Sequence, residues 1–536
     1  MSFKCWLQDC HIRVFPDRNS IRTVPLVLDI ARGEATAFQF VVANSDHDKV
    51  PRITVIAEGP AGISLRIRRV GFVPLPHFNT NVPDDERDGV GRIPGFVPDP
   101  LFDEHEALLA PLETVSFWIS VRSTPSVNPG RHPVFIRVES DGKTVARLTT
   151  AIHVYPITAQ PRRNFPVLQW FYIDAILDWY RLQPFEEKFW TILAAYMADL
   201  PAHGQDTIYA PVFTPPLDGV KRPSQLLHVR RRGQRYEFDW TNVKRYTDLA
   251  TRQGIRNFEW THFFTQWGVR HAIRIYEGHG ENEQLLWPPE TTALSPAYRN
   301  FLSQFLPEFH TFLKREKLLD RSFFHVSDEP HGDDVLANYK AARSLLLELA
   351  PWIKTMDALS EISYGRDKVT DMPIPSIRVT RQFMEEKIPC FTYFCCGPRG
   401  RYLNRLLDTP LVKIRMSGWL FHRFKTLGFL HWGYNYWYQS QTRNLIDPFC
   451  ESAGRAWPGW AYGDTFVVYP GSDGPIDSLR WEIFGLSLQD QALLQTLRIQ
   501  PDDKELKAFK DFDDFPKSLP AYLKLRKSLL AHSTEK

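Results

Sequence analysis

The sequence predicts a multidomain protein with an N-terminal antiparallel β-sandwich, a (β/α)8 TIM-like barrel and a short C-terminal extension. The predicted boundaries are residues 1–158, 159–445 and 446–536. Three observations lead to this fold class. The chain has 536 residues, which exceeds the size at which a single hydrophobic core stops growing. Short alternating runs fill its first part, and its middle part alternates short apolar runs with long helical patterns.

The sandwich is predicted from β-branched or alternating runs such as ATAFQFVVAN, ETVSFWISVRS and HPVFIRVES. Turn sequences such as EGPAG and SDGK separate the runs, which is typical of antiparallel sandwiches. A proline-rich insertion over residues 78–111 is too long for a simple hairpin connection. Because loops of this length usually cover a neighbouring domain or have a role of their own, we expect one of these two outcomes.

The barrel is predicted from eight apolar runs that alternate with helical patterns after a proline-bounded linker at residues 155–166. This alternation indicates parallel strands joined by crossovers, and eight strands over about 280 residues suit a closed barrel. The candidate strands are FPVLQWFYID, DTIYAPVF, IRNFEWTHFF, SFFHVSDEP, KTMDAL, SIRVT, PCFTYFCC and GFLHWGYNYW. One helical stripe that we assign to the core consists of Phe301, Phe305, Phe309 and Phe312.

The C-terminal extension is predicted to contain one strand and two helical stretches. GDTFVVYPG indicates a strand and a turn, and SLRWEIFGLSLQDQALLQTLR indicates an amphipathic helix. The charged segment from PDDKELK onward indicates a further helical stretch.

Composition and charge exclude several classes of partner. The 65 basic and 62 acidic residues leave a net charge of +3, so no overall field would recruit nucleic acid or an anionic membrane. The six cysteines lack paired C-x-x-C spacing and no histidine pattern indicates a metal site, so we expect free thiols, no metal and no cofactor. The start, MSFKCWLQDC, has no apolar signal region, and no run reaches the roughly 18 apolar residues of a membrane span. We therefore expect a cytoplasmic protein. The sequence does not indicate its oligomeric state.

Asp328 and Glu329 end the fourth candidate strand and are the main catalytic candidates. Barrel enzymes place their chemistry at the C-terminal ends of the strands. Both acids can face one ligand only if the chain turns there, which Pro330 and Gly332 favour. Two carboxylates this close do not both ionise easily in a dry pocket, so one is expected to stay protonated near neutral pH. The alternative is that the acids begin the next helix, where the helix dipole favours them.

Several motifs together resemble glycoside hydrolase family 123. They are SDEP, TYFCCGP with Asn404 downstream, RMSGWLFHRFKTLGFLHWGYNYW and DTFVVYPGSDGPIDSLRWEIF, and PGFVPDPL in the sandwich is similar to that family's amino-terminal module. The resemblance implies a retaining N-acetyl-β-galactosaminidase that uses substrate-assisted catalysis. By the same resemblance, Glu329 matches the general acid/base, and Asp328 matches the residue that orients the 2-acetamido group and stabilises an oxazolinium ion. The usual spacing of two carboxylates across the sugar ring is not needed, because the substrate supplies the nucleophile.

Further residues are candidates for substrate binding. Tyr393 is able to donate its hydroxyl to the acetamido oxygen, although a barrel-wall tyrosine with a local partner is an equal alternative. On strand alternation only about half of the aromatic cluster near the last strand can face a pocket, and Asn435 is expected to bond a sugar hydroxyl. The cluster consists of Trp419, Trp432, Tyr434, Asn435, Tyr436 and Trp437. The remaining candidates are Trp260 and His262 after the third strand and Trp170 and Asp174 after the first, whereas His325 is expected to be a core histidine.

The sequence therefore predicts an exo-acting glycoside hydrolase that releases terminal β-linked N-acetylgalactosamine from an oligosaccharide or glycoside. One alternative is a glycosidase of the same architecture that acts on a sugar without an acetamido group. Its nucleophile would then be Asp328 or a distant carboxylate such as Glu361 or Asp174. The other alternative is a carbohydrate-binding protein without turnover, because fold resemblance alone does not fix chemistry.

Overall fold

The computed structural model describes residues 3–17, 26–215, 222–278, 283–439, 442–452 and 460–532. The N-terminal part forms two five-stranded sheets with the strand orders β1-β3-β8-β5-β6 and β2-β10-β9-β4-β7. The strands are β1 (Phe3–Asp9), β2 (Asp29–Arg32), β3 (Ala35–Asn44), β4 (Arg52–Glu58), β5 (Ile63–Leu75), β6 (Gly95–Phe102), β7 (Glu106–Leu108), β8 (Thr114–Ser123), β9 (Gly130–Ser140) and β10 (Lys143–Thr158). All pairings are antiparallel except that of β2 with β10, so the predicted antiparallel sheets are confirmed.

Alternate side chains of β3 and β8 form part of the core between the two sheets. Phe38 and Phe40 of β3 and Phe117 and Ile119 of β8 are fully buried in this core. The opposite face of β3 is also buried, which explains why ATAFQFVVAN is apolar at nearly every position.

After the sandwich, short strands alternate with helices. The strands are β11 (Val167–Gln169), β12 (Thr207–Ala210), β13 (His228–Arg232), β14 (Arg235–Asp239), β15 (Asn257–Trp260), β16 (Tyr276–Glu277), β17 (Gln284–Leu285), β18 (Ser322–Phe323), β19 (Met356–Asp357), β20 (Met372–Pro373), β21 (Thr392–Tyr393), β22 (Phe429–His431), β23 (Tyr469–Pro470) and β24 (Pro475–Ile476). A six-stranded parallel sheet has the order β18-β15-β12-β11-β22-β21, and β19 and β20 form a separate parallel pair. Single parallel bridges, Phe324 to Thr355 and Ser376 to Tyr393, lie between the pair and the larger sheet.

Helices separate most of these strands. They are α1 (Ile173–Trp179), α2 (Glu187–Ala202), α3 (Thr241–Arg252), α4 (Pro296–Arg315), α5 (Asp333–Leu349), α6 (Ile362–Arg366), α7 (Thr380–Glu385), α8 (Leu411–Arg415), α9 (Ser417–Arg423), α10 (Leu479–Thr496) and α11 (Leu519–Ala531). Serine N-caps start three of them, at Ser295, Ser478 and Ser518, and each serine side chain accepts a backbone N–H of the first turn. The predicted stripe of four phenylalanines on α4 is buried, and Trp240 stacks on three of them.

One predicted strand is wrong. The run SIRVT, residues 376–380, is a turn that leads into α7, with the amide of Val379 bonded to the carbonyl of Ser376 at 2.9 Å. The strand lies earlier, at β20, and within the run Ser376 forms a single parallel bridge to Tyr393 before the chain turns. The other seven candidate runs each contain a strand, and the parallel strands form a six-stranded sheet and a separate pair, so a closed eight-stranded barrel stays a prediction.

The insertion at residues 78–111 packs on the later part of the chain, which is the first of its two expected outcomes. Asp99 of β6 and Arg480 of α10 form a fully buried ion pair at 2.9 Å, and the hydroxyl of Tyr469 also donates to Asp99. Asn79 donates to both carboxylate oxygens of Asp408, through its backbone and side-chain nitrogens. The N-terminal part therefore supports residues both before and after β22.

None of the helices within the described residues combines the length and the apolar character that a bilayer-spanning helix requires.

Candidate active site

The acid pair lies between β18 and α5. Because α5 begins at Asp333 after Gly332, Asp328 and Glu329 stand before the helix and are not its first turn. Both acids are half-buried, and Glu329 has a φ of 42°, in the left-handed region that non-glycine residues rarely adopt. The chain therefore turns at Glu329, as the sequence predicts, which allows neighbouring carboxylates to face one ligand.

Strand β21 brings a hydroxyl to the acid pair. Tyr393 ends β21 and donates its hydroxyl hydrogen to Oε1 of Glu329. Burial and the negative charge of Glu329 hold the pKa of Tyr393 well above its usual value, so the phenol stays protonated and remains a donor. The predicted contact between this hydroxyl and an acetamido oxygen stays a prediction.

The loop after β15 holds the backbone of the acid pair. Its residues 263–267 run beside residues 325–328. The hydrogen bonds run from the amide of Phe263 to the carbonyl of His325 (3.1 Å), from the amide of Phe264 to the carbonyl of Val326 (2.9 Å), from the hydroxyl of Ser327 to the carbonyl of Thr265 (2.8 Å) and from the amide of Trp267 to the carbonyl of Asp328 (2.9 Å). This repeated pairing limits the movement of Asp328 relative to β15.

A buried charge network lies beneath the pair. Nε2 of His325 is 2.7 Å from Oε1 of Glu259, and its Nδ1 is 3.3 Å from Oδ1 of Asp357. Burial lowers the pKa of His325, but the carboxylates of Glu259 and Asp357 outweigh it and raise that pKa to about 10. The indole N–H of Trp170 donates to the same oxygen of Glu259 at 2.7 Å. His325 is thus a protonated inter-strand histidine, consistent with the predicted core role.

His262 stacks on His325, with ring centroids 4.4 Å apart. Burial and the positive charge of His325 hold the pKa of His262 well below its usual range, so this imidazole is neutral. Donor atoms of His262, His325 and Asp357 lie within 4.8 Å of one another, as metal ligands would. However, both nitrogens of His325 face carboxylates, which favours a protonated imidazole over a metal ligand.

The comparisons with known proteins decide the family. The family model described as glycoside hydrolase 123, catalytic domain, matches residues 170–497, which is more than half of the chain and includes the acid pair. The chain belongs to glycoside hydrolase family 123. This family 123 chain is therefore a glycoside hydrolase with a carbohydrate substrate, and the resemblance found in the sequence is confirmed.

A solved structure supports the fold. A family 123 glycoside hydrolase from Clostridium perfringens, whose structure addresses glycolipid glycan hydrolysis, aligns with a TM-score of 0.76 and 15% identity over 100% of this chain and 99% of its own. A family 39 glycoside hydrolase from Bacteroides cellulosilyticus aligns with a TM-score of 0.33 and 9% identity, over 86% of this chain and 81% of its own. Among curated protein sequences, none matches this family 123 chain.

A cavity of about 570 Å³ in this family 123 glycoside hydrolase lies between the sandwich and the following domain, and the acid pair does not line it. Its lining includes Arg68, Asp477 and Glu482, but these three groups already pair with one another. The half-buried acid pair remains the candidate site, because the hydroxyl of Tyr393 donates to Glu329 and the pair follows β18 in the chain.

Four of the predicted substrate-binding residues are fully buried in the family 123 fold, each with an internal hydrogen bond. The structure therefore places these side chains in the core, and their predicted contacts with a sugar stay predictions. The bonds join Nε1 of Trp419 to Asp490 (3.1 Å), the hydroxyl of Tyr434 to Asp199 (2.6 Å), Nε1 of Trp437 to the carbonyl of Val468 (3.1 Å) and Nε1 of Trp260 to Ser322 (2.8 Å).

Two other candidates interact with nearby parts of the same polypeptide. Asn435 uses both ends of its amide on the backbone of Tyr172, accepting from its N–H at 2.9 Å and donating to its carbonyl at 3.0 Å. Asp174 is buried in α1, where its charge helps to raise the pKa of Tyr438, after the larger effect of burial. The predicted hydrogen bond of Asn435 to a sugar hydroxyl would compete with its two bonds to the backbone of Tyr172.

Trp432 comes directly after β22 and is hydrogen-bonded to Asp464. Trp432 is half-buried, donates its indole N–H to Asp464 at 2.9 Å and packs against Tyr436. Burial raises the pKa of Asp464 to about 7. The pKa of Cys395 is raised by its hydrogen bond to Cys396, by burial and by the charges of Asp464 and Glu329. This thiol therefore lies within electrostatic range of both Asp464 and the acid pair.

Sequence reasoning missed Glu259, Asp464 and Trp267. Glu259 lies between the aromatic residues Phe258 and Trp260 of the third candidate strand, and a buried charge in a strand is a signal of function or pairing. Asp464 belongs to the motif DTFVVYPG, which predicted a strand and a turn and contributed to the family resemblance but gave no sign of a functional acid. Trp267 follows the third candidate strand, in the loop where barrel enzymes carry binding residues.

Proposed function

We propose that this family 123 glycoside hydrolase is a retaining, exo-acting β-N-acetylgalactosaminidase that works by substrate-assisted catalysis. The observation that carries the proposal is the turn at Glu329, which presents Asp328 and Glu329 side by side with the hydroxyl of Tyr393 bonded to Glu329. Two adjacent carboxylates suit a reaction in which the substrate provides the nucleophile.

In the proposed first step, Glu329 gives its proton to the glycosidic oxygen as the bond from this oxygen to the anomeric carbon breaks. The carbonyl oxygen of the substrate's acetamido group forms a bond to the anomeric carbon from the opposite face. Asp328 accepts a hydrogen bond from the acetamido N–H and stabilises the positive charge of the oxazolinium ion. The hydrogen bond from Tyr393 stabilises the carboxylate that Glu329 becomes.

In the proposed second step, Glu329 takes a proton from a water molecule whose oxygen attacks the anomeric carbon. The bond between the acetamido oxygen and the anomeric carbon breaks, which restores the acetamido group. Two successive inversions retain the configuration of the released sugar, and Glu329 is protonated again for the next cycle.

The alternative of a non-acetamido sugar needs a second carboxylate about 5 Å or more across the ring. Glu259 contacts His325 and Trp170, and Glu361 contacts Nδ1 of His331 at 3.0 Å. These engagements favour the substrate's own acetamido oxygen as the nucleophile.

We also propose that the eight parallel strands form a closed (β/α)8-type barrel between residues 159 and 445, with the sandwich before it and an extension after it. The bridges Phe324 to Thr355 and Ser376 to Tyr393, together with the pairing of β22 with β11, support a closed ring. In such a ring Asp328 and Tyr393 lie at the same end, where barrel enzymes work.

The test is hydrolysis of p-nitrophenyl β-GalNAc, β-GlcNAc and β-galactoside by the wild type and by Asp328→Asn and Glu329→Gln. We expect cleavage of the first substrate and a loss of about a hundredfold or more in both variants. Glu361→Gln, which changes a half-exposed acid nearby, serves as the matched control and should stay within about threefold. Equal cleavage of the β-galactoside would overturn substrate assistance, and no cleavage of any substrate would leave the binding-protein alternative.

A further inference from the structure

Trp267 occupies an unusual position next to the acid pair. Its amide donates to the carbonyl of Asp328 at 2.9 Å, so its backbone lies directly beside the candidate catalytic residues. The loop that carries it is also fixed to α5, because the side chain of Asn338 donates to the carbonyl of Gly268 at 3.1 Å. Trp267 is therefore held in place relative to Asp328 from two sides.

The side chain of Trp267 is exposed, unlike those of the other described tryptophans. It is 44% exposed, and within the described ranges it is the one tryptophan among the exposed large hydrophobic side chains. Its φ of 60° places a bulky residue in the left-handed region, which is unfavourable for such a side chain. An exposed indole on a strained backbone beside candidate catalytic groups indicates a role in binding rather than in packing.

We infer that the indole of Trp267 is the surface on which the second sugar of the substrate, the one beyond the scissile bond, lays its apolar face. This inference rests on the proposed function. A pyranose presents a face of C–H groups, and aromatic rings are the side chains that contact such faces while leaving the hydroxyls in water. Because the indole is exposed and its backbone is bonded to that of Asp328, it suits a part of the substrate that extends away from the acid pair, which is the leaving group.

The surroundings of Trp267 favour a sugar over a lipid or an apolar protein partner. Its neighbours Gln266 and Arg270 are polar and half-buried or exposed, so the indole is a single apolar surface among hydrogen-bonding groups. On the segment after the acid pair, His331 and Glu361 form another accessible polar pair. Small aromatic surfaces with polar groups around them are typical of carbohydrate sites, whereas partner interfaces are larger and more continuous.

The test compares substrates with and without a second sugar. The substrates are methyl β-GalNAc and the disaccharides in which β-GalNAc is linked 1→3 or 1→4 to galactose. Trp267→Ala should raise KM for the better disaccharide about fivefold to tenfold, with kcat and the kinetics of the methyl glycoside within about twofold. Trp267→Phe, which keeps an aromatic face, should recover KM to within about threefold. Phe135→Ala, a change of an exposed aromatic residue on the sandwich, should have no effect.

A second readout does not depend on turnover. In a Glu329→Gln background, the disaccharide should bind more tightly than free GalNAc in calorimetric titration, and Trp267→Ala should remove this difference. Equal effects of Trp267→Ala on the methyl glycoside and the disaccharide would show a structural role of the loop and overturn the inference alone. No effect on either substrate would overturn it as well. Wild-type protein that cleaves none of these substrates would overturn the proposed function, and the inference with it.

Discussion

The hydroxyl of Tyr393 is hydrogen-bonded to the carboxylate of Glu329, so the end of β21 is joined to the segment that follows β18 across the candidate active site. This contact links two strands that are not neighbours in the sheet order. It fixes the orientation of a carboxylate whose backbone is already in an unfavourable conformation.

Tyr393→Phe should lower kcat by about tenfold or more while the protein stays folded. The substitution removes one hydrogen bond to the carboxylate that forms after proton donation, and bonds to charged groups contribute about 1.5–3 kcal/mol. The measurement is kcat and KM for p-nitrophenyl β-GalNAc together with the melting temperature. Tyr402→Phe, a half-buried tyrosine elsewhere, is the control, and unchanged kcat in Tyr393→Phe would argue against any catalytic role.

The network around His325 should make stability depend on alkaline pH. The folded pKa of His325 is about 10 against an unfolded value near 6.5, so the folded state holds a proton that the unfolded state has lost in between. Its stabilisation is complete below pH 6.5 and disappears as the pH rises through 10, by on the order of 3–5 kcal/mol. Urea unfolding at pH 6.5, 8 and 9.5 measures this slope.

Glu259→Gln provides the matched variant for that experiment. It removes the carboxylate nearest to Nε2 of His325, so the protein should be less stable at pH 6.5 and the alkaline slope should become shallower. A slope identical to that of the wild type would show that Glu259 does not raise the pKa of His325.

Asp464 should destabilise the folded protein when it ionises. Burial raises its folded pKa to about 7, above the unfolded value near 3.9, so the folded state becomes less stable as the pH rises from about 4 to 7. Asp464→Asn retains an acceptor for Trp432 and cannot ionise. We expect the variant to be about 1–3 kcal/mol more stable than the wild type at pH 8 and similar to it at pH 4. Lower stability at pH 8 would contradict the raised pKa.

The buried ion pair between Asp99 and Arg480 should be a large contributor to folding. Asp99→Asn leaves a buried guanidinium without its counter-ion, which costs about 3–5 kcal/mol. Asp103→Asn in the exposed pair with Arg66 is the control, and it should cost less than about 1 kcal/mol. Equal changes in the urea midpoint for the two variants would refute the importance of the buried pair.

The sequence was informative where local chemistry is unusual. An aromatic strand that ends on two acids, a proline and a glycine predicted both the position of the acid pair and the turn, because few structural contexts require that combination. The run SIRVT could not be told from a turn, since its apolar residues suit both, and only the structure shows that the chain turns after the bridge at Ser376.

Aromatic residues were the least predictable part of the site. Trp419, Tyr434 and Trp437 suit a sugar-binding face by composition, yet each has a buried hydrogen-bond partner far along the chain. Tryptophan combines a large apolar body with one donor, so it serves a core and a pocket equally well. Only the fold brings Asp490, Asp199 and Val468 to these donors, and a single sequence carries no signal of that pairing.

The contact between Asp99 and Arg480 also bears on the order in which the chain is synthesised. Strand β6 leaves the ribosome early, whereas α10, which carries its counter-charge, emerges only when most of the 536 residues have been made. Although domains generally fold as units from the N-terminus, the counter-ion of the buried Asp99 lies far along the chain, at Arg480. The buried pair therefore forms only after α10 has been made, so the N-terminal part made alone would expose Asp99 without its counter-ion.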